Sequence, residues 1–215
     1  MVADWLRQSP LILLFLLTAC TGDGGVKSSL NDGAADTNAS QAVAGYDAAS
    51  SLSETQRAAL DGLLVVMKNR EWRAAEELVQ SLLVDYPEMA ELYANLGTIY
   101  FNLNEHDSAE QAWLKALQIR NSWPSVSNRL GVYYRQQGRL DDAFMLYQQA
   151  LEQDAQYSMA HRNVAILYEI YRGDYDKAYQ HYQRYAELVT DDKDKETVKM
   201  WIADLERRMT RKENE

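Results

Sequence analysis

Residues 90–123 read AELYANLGTIYFNLNEHDSAEQAWLKALQIRNSW and residues 124–157 read PSVSNRLGVYYRQQGRLDDAFMLYQQALEQDAQY, and the second stretch repeats the first at an offset of 34. Leu96-Gly97 recurs as Leu130-Gly131, Tyr100 as Tyr134, Ala109 as Ala143, Trp113 as Tyr147 and Ala116-Leu117 as Ala150-Leu151. A fixed offset of this kind marks stacked repeats, in which each unit covers the apolar face its neighbour cannot bury alone. One step back from Ala109 lands on Ala75. One step forward from Ala143 reaches Ala178 after one inserted residue near Tyr171. Four units result, over residues 56–89, 90–123, 124–157 and 158–192. The first is the least regular, with Gly62-Leu63 where later units carry Leu-Gly.

Within a unit the apolar spacing is helical. Leu92, Leu96, Ile99, Tyr100 and Leu103 form one stripe, and Ala109, Ala112, Trp113, Ala116 and Leu117 another. The polar break between them, Asn104-Glu105-His106-Asp107, has the equivalents Gln137-Gly138-Arg139-Leu140-Asp141 and Arg172-Gly173-Asp174-Tyr175-Asp176. These put Gly where a left-handed helix cap sits and Asp at the next helix start, so each unit is predicted to be a helical hairpin. Gly97, Gly131, Ala109, Ala143 and Ala178 remove bulk where helices must cross closely. Tyr100, Tyr134, Trp113, Tyr147 and Tyr182 fill the space between crossings. Pro87 should end the second helix of its unit, and Pro124 marks the opening of the third.

From residue 56 to 192 this pattern resembles the tetratricopeptide repeat (TPR). The second unit carries it as Tyr93, Leu96-Gly97, Tyr100, Ala109, Trp113 and Ala116, the third as Leu130-Gly131, Tyr134, Gly138, Ala143, Tyr147 and Ala150. Departures are Asn121 and Ala155 in the column of Pro87, His161 in an aromatic column, Ala165 for Gly and Tyr185 for Ala, so the fourth unit is expected to pack differently. The resemblance implies an all-α fold, a right-handed α-solenoid of TPR hairpins. Beyond it, Val198, Trp201, Ile202, Leu205 and Met209 make a one-sided apolar stripe, preceded by Asp191, Asp192 and Asp194 and followed by Arg207, Arg208, Arg211 and Lys212. Those charges oppose the helix dipole at both ends, as suits a C-terminal capping helix within residues 193–215. A partner-binding or self-associating helix is the rival reading.

The start of the chain is different in kind. Arg7, the apolar run Leu11 to Leu17, then Thr18, Ala19 and Cys20 follow the order of an export signal. Seven apolar residues cover roughly 10 Å of a hydrocarbon core about 30 Å thick, too little to span it. Leu17-Thr18-Ala19-Cys20 resembles a bacterial lipobox, which implies a signal peptide over residues 1–19 cleaved before Cys20, and acyl chains on Cys20 that anchor the protein in a membrane. Thr21, where an Asp would imply retention in the inner membrane, favours the periplasmic face of the outer membrane, with the inner membrane as the alternative. Five of the ten glycines fall between Gly22 and Gly45, in a stretch of Ser, Ala, Asn and Asp that reads as a flexible tether over residues 20–50.

Composition narrows the function. A formal net charge of -10 repels phosphate backbones, so no nucleic-acid partner is expected. A single Cys forbids an internal disulfide framework, and with three His the chain lacks the makings of a Cys/His zinc site. Neither HExxH, a Gly-rich phosphate loop nor Gly-x-Ser-x-Gly occurs. No catalytic residue, metal, cofactor or small-molecule substrate is therefore assigned, and His106, His161 and His181 are each expected to serve packing or surface roles. What remains is surface. The first helices of a curved stack line a groove suited to a peptide. Stepping by 34 along them gives Asn95, Arg129 and Asn163, with Asn128 and Arg162 beside them and Arg135 one turn on, as the candidate partner-binding residues. The TPR resemblance implies that such columns grip peptide backbone or carboxylate. A chaperone-type carboxylate clamp is incomplete here, because Ala94 and Thr98 stand where it would place Lys and Asn. Resemblance to TPR lipoproteins as a group implies a non-enzymatic envelope scaffold whose partner is an envelope protein or peptide. Pilotins of pilus secretins, accessory proteins of energy-transducing complexes and adaptors for peptidoglycan enzymes are the types implied, with an enzyme subunit bearing a hidden site as the contrasting class.

Overall fold

The computed structural model describes residues 52–213, so the expected signal peptide over residues 1–19, the lipidation candidate Cys20 and the expected tether lie outside the described residues. The element order is α1 (Glu54–Lys68), α2 (Trp72–Asp85), α3 (Ala90–Asn102), α4 (His106–Ile119), α5 (Pro124–Gln136), α6 (Leu140–Gln153), α7 (Ser158–Ile166) running into a π-helical segment (Leu167–Arg172), α8 (Tyr175–Leu188) and α9 (Asp192–Glu213). There is no strand among the described residues. Helices pack against their sequence neighbours throughout the described residues. First helices of adjacent units also meet, α1 with α3 and α5 with α7, which sets them on the inner side of the stack. The fold is the α-solenoid that the 34-residue offset predicts.

The repeat is visible as equivalent burial. Ala75, Ala109, Ala143 and Ala178 are all 0% exposed, in successive second helices. Gly97 and Gly131 lie against the rings that follow them by sixteen residues: a Cβ on Gly97 would come 2.5 Å from Trp113 Cδ1, and one on Gly131 2.6 Å from Tyr147 Cε1. Hydrogen at these two positions is what lets the helices of a hairpin close on an aromatic ring. The first unit solves the same packing with the volumes reversed, because Leu63 and Val79 occupy those two columns and both are fully buried. Gly62-Leu63, irregular as sequence, is regular as packing.

Each hairpin turn carries one left-handed residue at the same register: Arg70 (φ 61°), Asn104 (φ 61°), Gly138 (φ 75°) and Gly173 (φ 63°). A backbone bond then closes the turn, from Glu71 N to Val66 O, Glu105 N to Tyr100 O, and Arg139 N to Tyr134 O. In the fourth unit the equivalent bond runs from Asp174 N to Tyr168 O and encloses one residue more. The residue inserted near Tyr171 is therefore absorbed as a π-helical segment, Leu167–Arg172, leaving Tyr168 and Asp174 in the places of Tyr134 and Arg139. This is how the fourth unit differs from the others.

The C-terminal helix covers the open end. Val198 and Leu205 are 0% exposed, and the Trp201 ring packs on Tyr182 at 5.6 Å. Asp191 caps its start, accepting from Lys193 N at 2.9 Å and Asp194 N at 3.0 Å. Polar ties back to the fourth unit come from Arg208 to Glu169 and from Tyr179 Oη, which donates to Glu206 at 3.1 Å.

Candidate partner-binding site

Buried polar side chains are segregated by helix. Among the described residues these are Glu91, Asn95, Thr98, Ser127, Asn128, Arg129, Arg135, Arg162 and Asn163, and all nine lie on first helices: α3, α5 and α7. The second helices α4, α6 and α8 bury Ala, Trp and Tyr instead. One side of the stack is thus a conventional core, and the other carries the hydrogen-bonding groups.

All six residues singled out from the sequence fall in this set. Asn95 (3% exposed), Asn128 (1%), Arg129 (4%), Arg135 (5%), Arg162 (6%) and Asn163 (3%) are buried, so none belongs to a freely solvated polar face. The structure joins some of them directly. Asn163 Nδ2 donates to Asn128 Oδ1 at 2.8 Å, linking α5 and α7, while Arg129 Nη1 donates to Thr98 Oγ1 at 3.4 Å, linking α3 and α5. Thr98 Oγ1 in turn donates to the Ala94 carbonyl at 3.1 Å. Arg162 lies over the Trp201 ring of α9 at 5.4 Å, so the capping helix borders the site.

Some polar atoms at the site carry no signal beyond their register in the repeat. Ser127 Oγ and Tyr147 Oη are buried without a hydrogen-bond partner, as are Arg135 Nε and Arg162 Nε. Tyr147 is counted as filler in the sequence, yet burial pushes its phenol well above the usual range, offset in part by the cations of Arg135 and Arg162. Its counterpart Trp113 is satisfied: the indole Nε1–H donates to Ala94 O at 3.2 Å. The phenol of Tyr147 has no such acceptor.

The histidines differ from their single-residue reading. His161 on α7 and His181 on α8 face each other with Nδ1 to Nδ1 at 3.0 Å, and His161 Nε2 sits 3.1 Å from the Ala155 carbonyl. A carbonyl only accepts, so Nε2 of neutral His161 holds the proton and its Nδ1 accepts from His181 Nδ1–H. Burial and then His161 hold His181 down to about 4, and the His181 ring stacks on Tyr168. Elsewhere among the described residues no group of three or more His, Cys, Asp or Glu is placed to hold a metal ion, and no helix is long and apolar enough to cross a membrane.

Comparison with known proteins agrees with the geometry. Two models described as tetratricopeptide repeat match the chain, over residues 60–126 and 125–152. The chain thus carries tetratricopeptide repeats, and repeats of this type indicate a protein–protein interaction scaffold. The fold is similar to that of a crystal structure of MamA, 21% identical, with a TM-score of 0.55 over 80% of this chain and 95% of that one. It is also similar to pilF of Pseudomonas aeruginosa, 17% identical, with a TM-score of 0.61 over 84% of this chain and 71% of that one. TTC0263, a thermophilic TPR protein of Thermus thermophilus, is 19% identical with a TM-score of 0.56, over 66% and 77% of the two chains. At these identities the likeness is one of fold.

Proposed function

We propose that this protein is a non-enzymatic scaffold, held at the periplasmic face of a bacterial outer membrane by acyl chains on Cys20, which receives a segment of an envelope protein along its first-helix face. The observation that carries the groove is the segregation of every buried Asn, Ser, Thr, Glu and Arg among the described residues onto α3, α5 and α7. A spacer that only held other elements apart would have no cause to concentrate hydrogen-bonding groups on one side, because burying them is unfavourable unless something bonds to them. Asn128 and Asn163 bond to each other across α5 and α7, and the remaining amide groups of the pair suit the backbone of an extended chain.

The lipobox resemblance at residues 17–20 and the apolar run before it support the anchor. The envelope context makes assembly or localisation of an envelope machine, in the manner of a pilus-secretin pilotin or an energy-transduction accessory protein, the function proposed. Photo-crosslinking groups placed in turn at Asn95, Asn128 and Asn163, and on the outer side at Met145 and Val84, test the groove in intact cells. Cross-links to an envelope protein confined to the first-helix positions are expected. A partner captured only from Met145 or Val84 would overturn the groove. For the anchor, the membrane-extracted protein should gain the mass of acyl chains on a mature chain beginning at Cys20, and Cys20→Ser should release it to the soluble fraction.

A further inference from the structure

We infer that the outer groove between α4 and α6 is an interface between two copies of this chain, with α6 laid antiparallel on α6 about a two-fold axis at Met145. The groove encloses about 670 Å3 over a floor formed by Leu130 and Tyr134 of α5, which packs on both second helices. Leu114 on one wall and Met145 on the other are 46% and 69% exposed. Both depart from the repeat. At the offset of 34, and of 35 across the insertion near Tyr171, the column of Leu114 holds Gln80, Gln148 and Gln183, and that of Met145 holds Glu77, Gln111 and Gln180. Elsewhere both columns are polar, so the packing of the solenoid does not call for Leu or Met there. Apolar side chains gathered on this one groove are unfavourable in water unless something covers them, and a flexible Met suits a surface that repacks on contact.

The polar ends of the groove name the occupant. Asp142, Met145, Gln149 and Glu152 stand three or four residues apart on one face of α6. Arg139, at the N-cap of that helix, is six residues before Met145, exposed Glu152 is seven after it, and both line the groove. At 1.5 Å per residue these charges sit roughly 10 Å to either side of Met145. A two-fold axis there sets Arg139 of each copy against Glu152 of the other, and Asp142 against Gln149, while Met145 and Leu114 of both copies meet in the middle. Such self-complementarity is what an isologous contact requires. A parallel arrangement would oppose Arg139 to Arg139 and Glu152 to Glu152. Arg139 is also ordered before contact, because it bonds Asp142 and Glu110 and lies over the Tyr134 ring at 3.7 Å. The interface uses second helices only, so each copy keeps its first-helix face free and the dimer presents two of them.

Cells expressing the full chain with an added cysteine, oxidised before lysis, report the contact. Met145→Cys should give a disulfide-linked species of twice the chain mass, and mass spectrometry of the linked peptides should join position 145 to position 145. Gln111→Cys, exposed in the same column on α4, should give at least about fivefold less. With Met145→Cys as reporter, Leu114→Gln, which installs the residue its column carries elsewhere, should lower the yield at least about fivefold. Its thermal unfolding should match the parent, as expected at an exposed position. Arg139→Glu or Glu152→Arg alone should each lower the yield by opposing like charges. Coexpression of one chain carrying Arg139→Glu with another carrying Glu152→Arg should restore it, because both pairs between the two chains are then of opposite sign. A link from position 145 to Cys20 or to a different protein, equal yields from Met145→Cys and Gln111→Cys, or no recovery on coexpression would each overturn the inference. If Arg139→Glu fails to fold, the effect of Leu114→Gln decides the matter alone, and an unchanged yield there overturns it.

Discussion

The indole of Trp113 occupies the space that a side chain on Gly97 would need, with Cδ1 only 2.5 Å and Nε1 2.6 Å from where a Cβ would stand. The ring is 2% exposed and pinned by its bond to the Ala94 carbonyl, so it cannot swing away cheaply. Gly97→Ala should therefore destabilise the protein by about 1–3 kcal/mol, the usual cost of overpacking. Replacing Trp113 by Leu in the same chain should recover part of that loss. The Leu63 and Val79 pair shows that these columns accept the opposite distribution of volume. Urea unfolding of the two single variants and the double variant should give a coupling of about 0.5–3 kcal/mol. Simple additivity would mean that the contact is not the constraint.

His161 and His181 should make the fourth unit sensitive to acid. The pair shares one hydrogen bond at 3.0 Å, and a second proton would set two cations face to face with Arg184 also near His161; Asp154 and Glu187 oppose that only in part. A folded-state value of about 4 for His181, below the unfolded 6.5, means that the unfolded chain takes the proton first. Stability is then fully present above about pH 6.5 and is lost as pH falls towards 4. Allowing for partial exposure, the loss is on the order of 1–2 kcal/mol. His181→Gln keeps a donor for His161 Nδ1 but does not titrate. The fall in Tm from pH 7.5 to 5 should be smaller in this variant than in the parent, and an equal fall would remove the pair as the cause.

The four left-handed turn residues differ in their cost. Gly138 and Gly173 adopt positive φ freely, Asn104 tolerates it, and Arg70 at φ 61° pays the full Cβ penalty. Arg70→Gly should raise stability by about 0.5–1 kcal/mol, reduced by whatever its side chain contributes, and Asn104→Gly by less. Chemical denaturation midpoints for the two variants should fall in that order above the parent.

The repeat was legible in the sequence because the residues that set it, Ala75, Ala109, Ala143 and Ala178 with the aromatic column through Trp113, Tyr147 and Tyr182, are constrained by the same crossing in every layer. The insertion near Tyr171 was visible as a count, but not its form. Local propensity does not distinguish a loosened turn from a π-helical segment, and the choice follows from keeping Tyr168 and Asp174 in register. Arg135 and Arg162 could be placed in a column, but their burial could not be foreseen. Arginine is a surface residue by composition, and only the approach of α5 to α7 takes these two out of water. The His161–His181 contact was hidden for a similar reason: it joins residues twenty apart on different helices, and neither position holds a His in the preceding units.

The capping helix gives the last test. Removing residues 191–215 would uncover Tyr182 and Tyr185, now 0% and 2% exposed, and take away the Arg208 partner of Glu169 and the Trp201 ring under Arg162. Glu169 lies within the π-helical segment and also accepts from Tyr182 Oη at 2.7 Å, so its loss of Arg208 reaches the irregular part of the fourth unit. The shortened chain should therefore lose more helix than the 22 residues of α9 alone. Circular dichroism should register the melting of part of α7 and α8, hydrogen exchange should show it confined to the fourth unit, and the uncovered aromatic face should drive concentration-dependent association on sedimentation. If the signal drops by the deleted helix only and the product stays monodisperse, α9 does not serve as a cap, and its apolar stripe is better assigned to a partner.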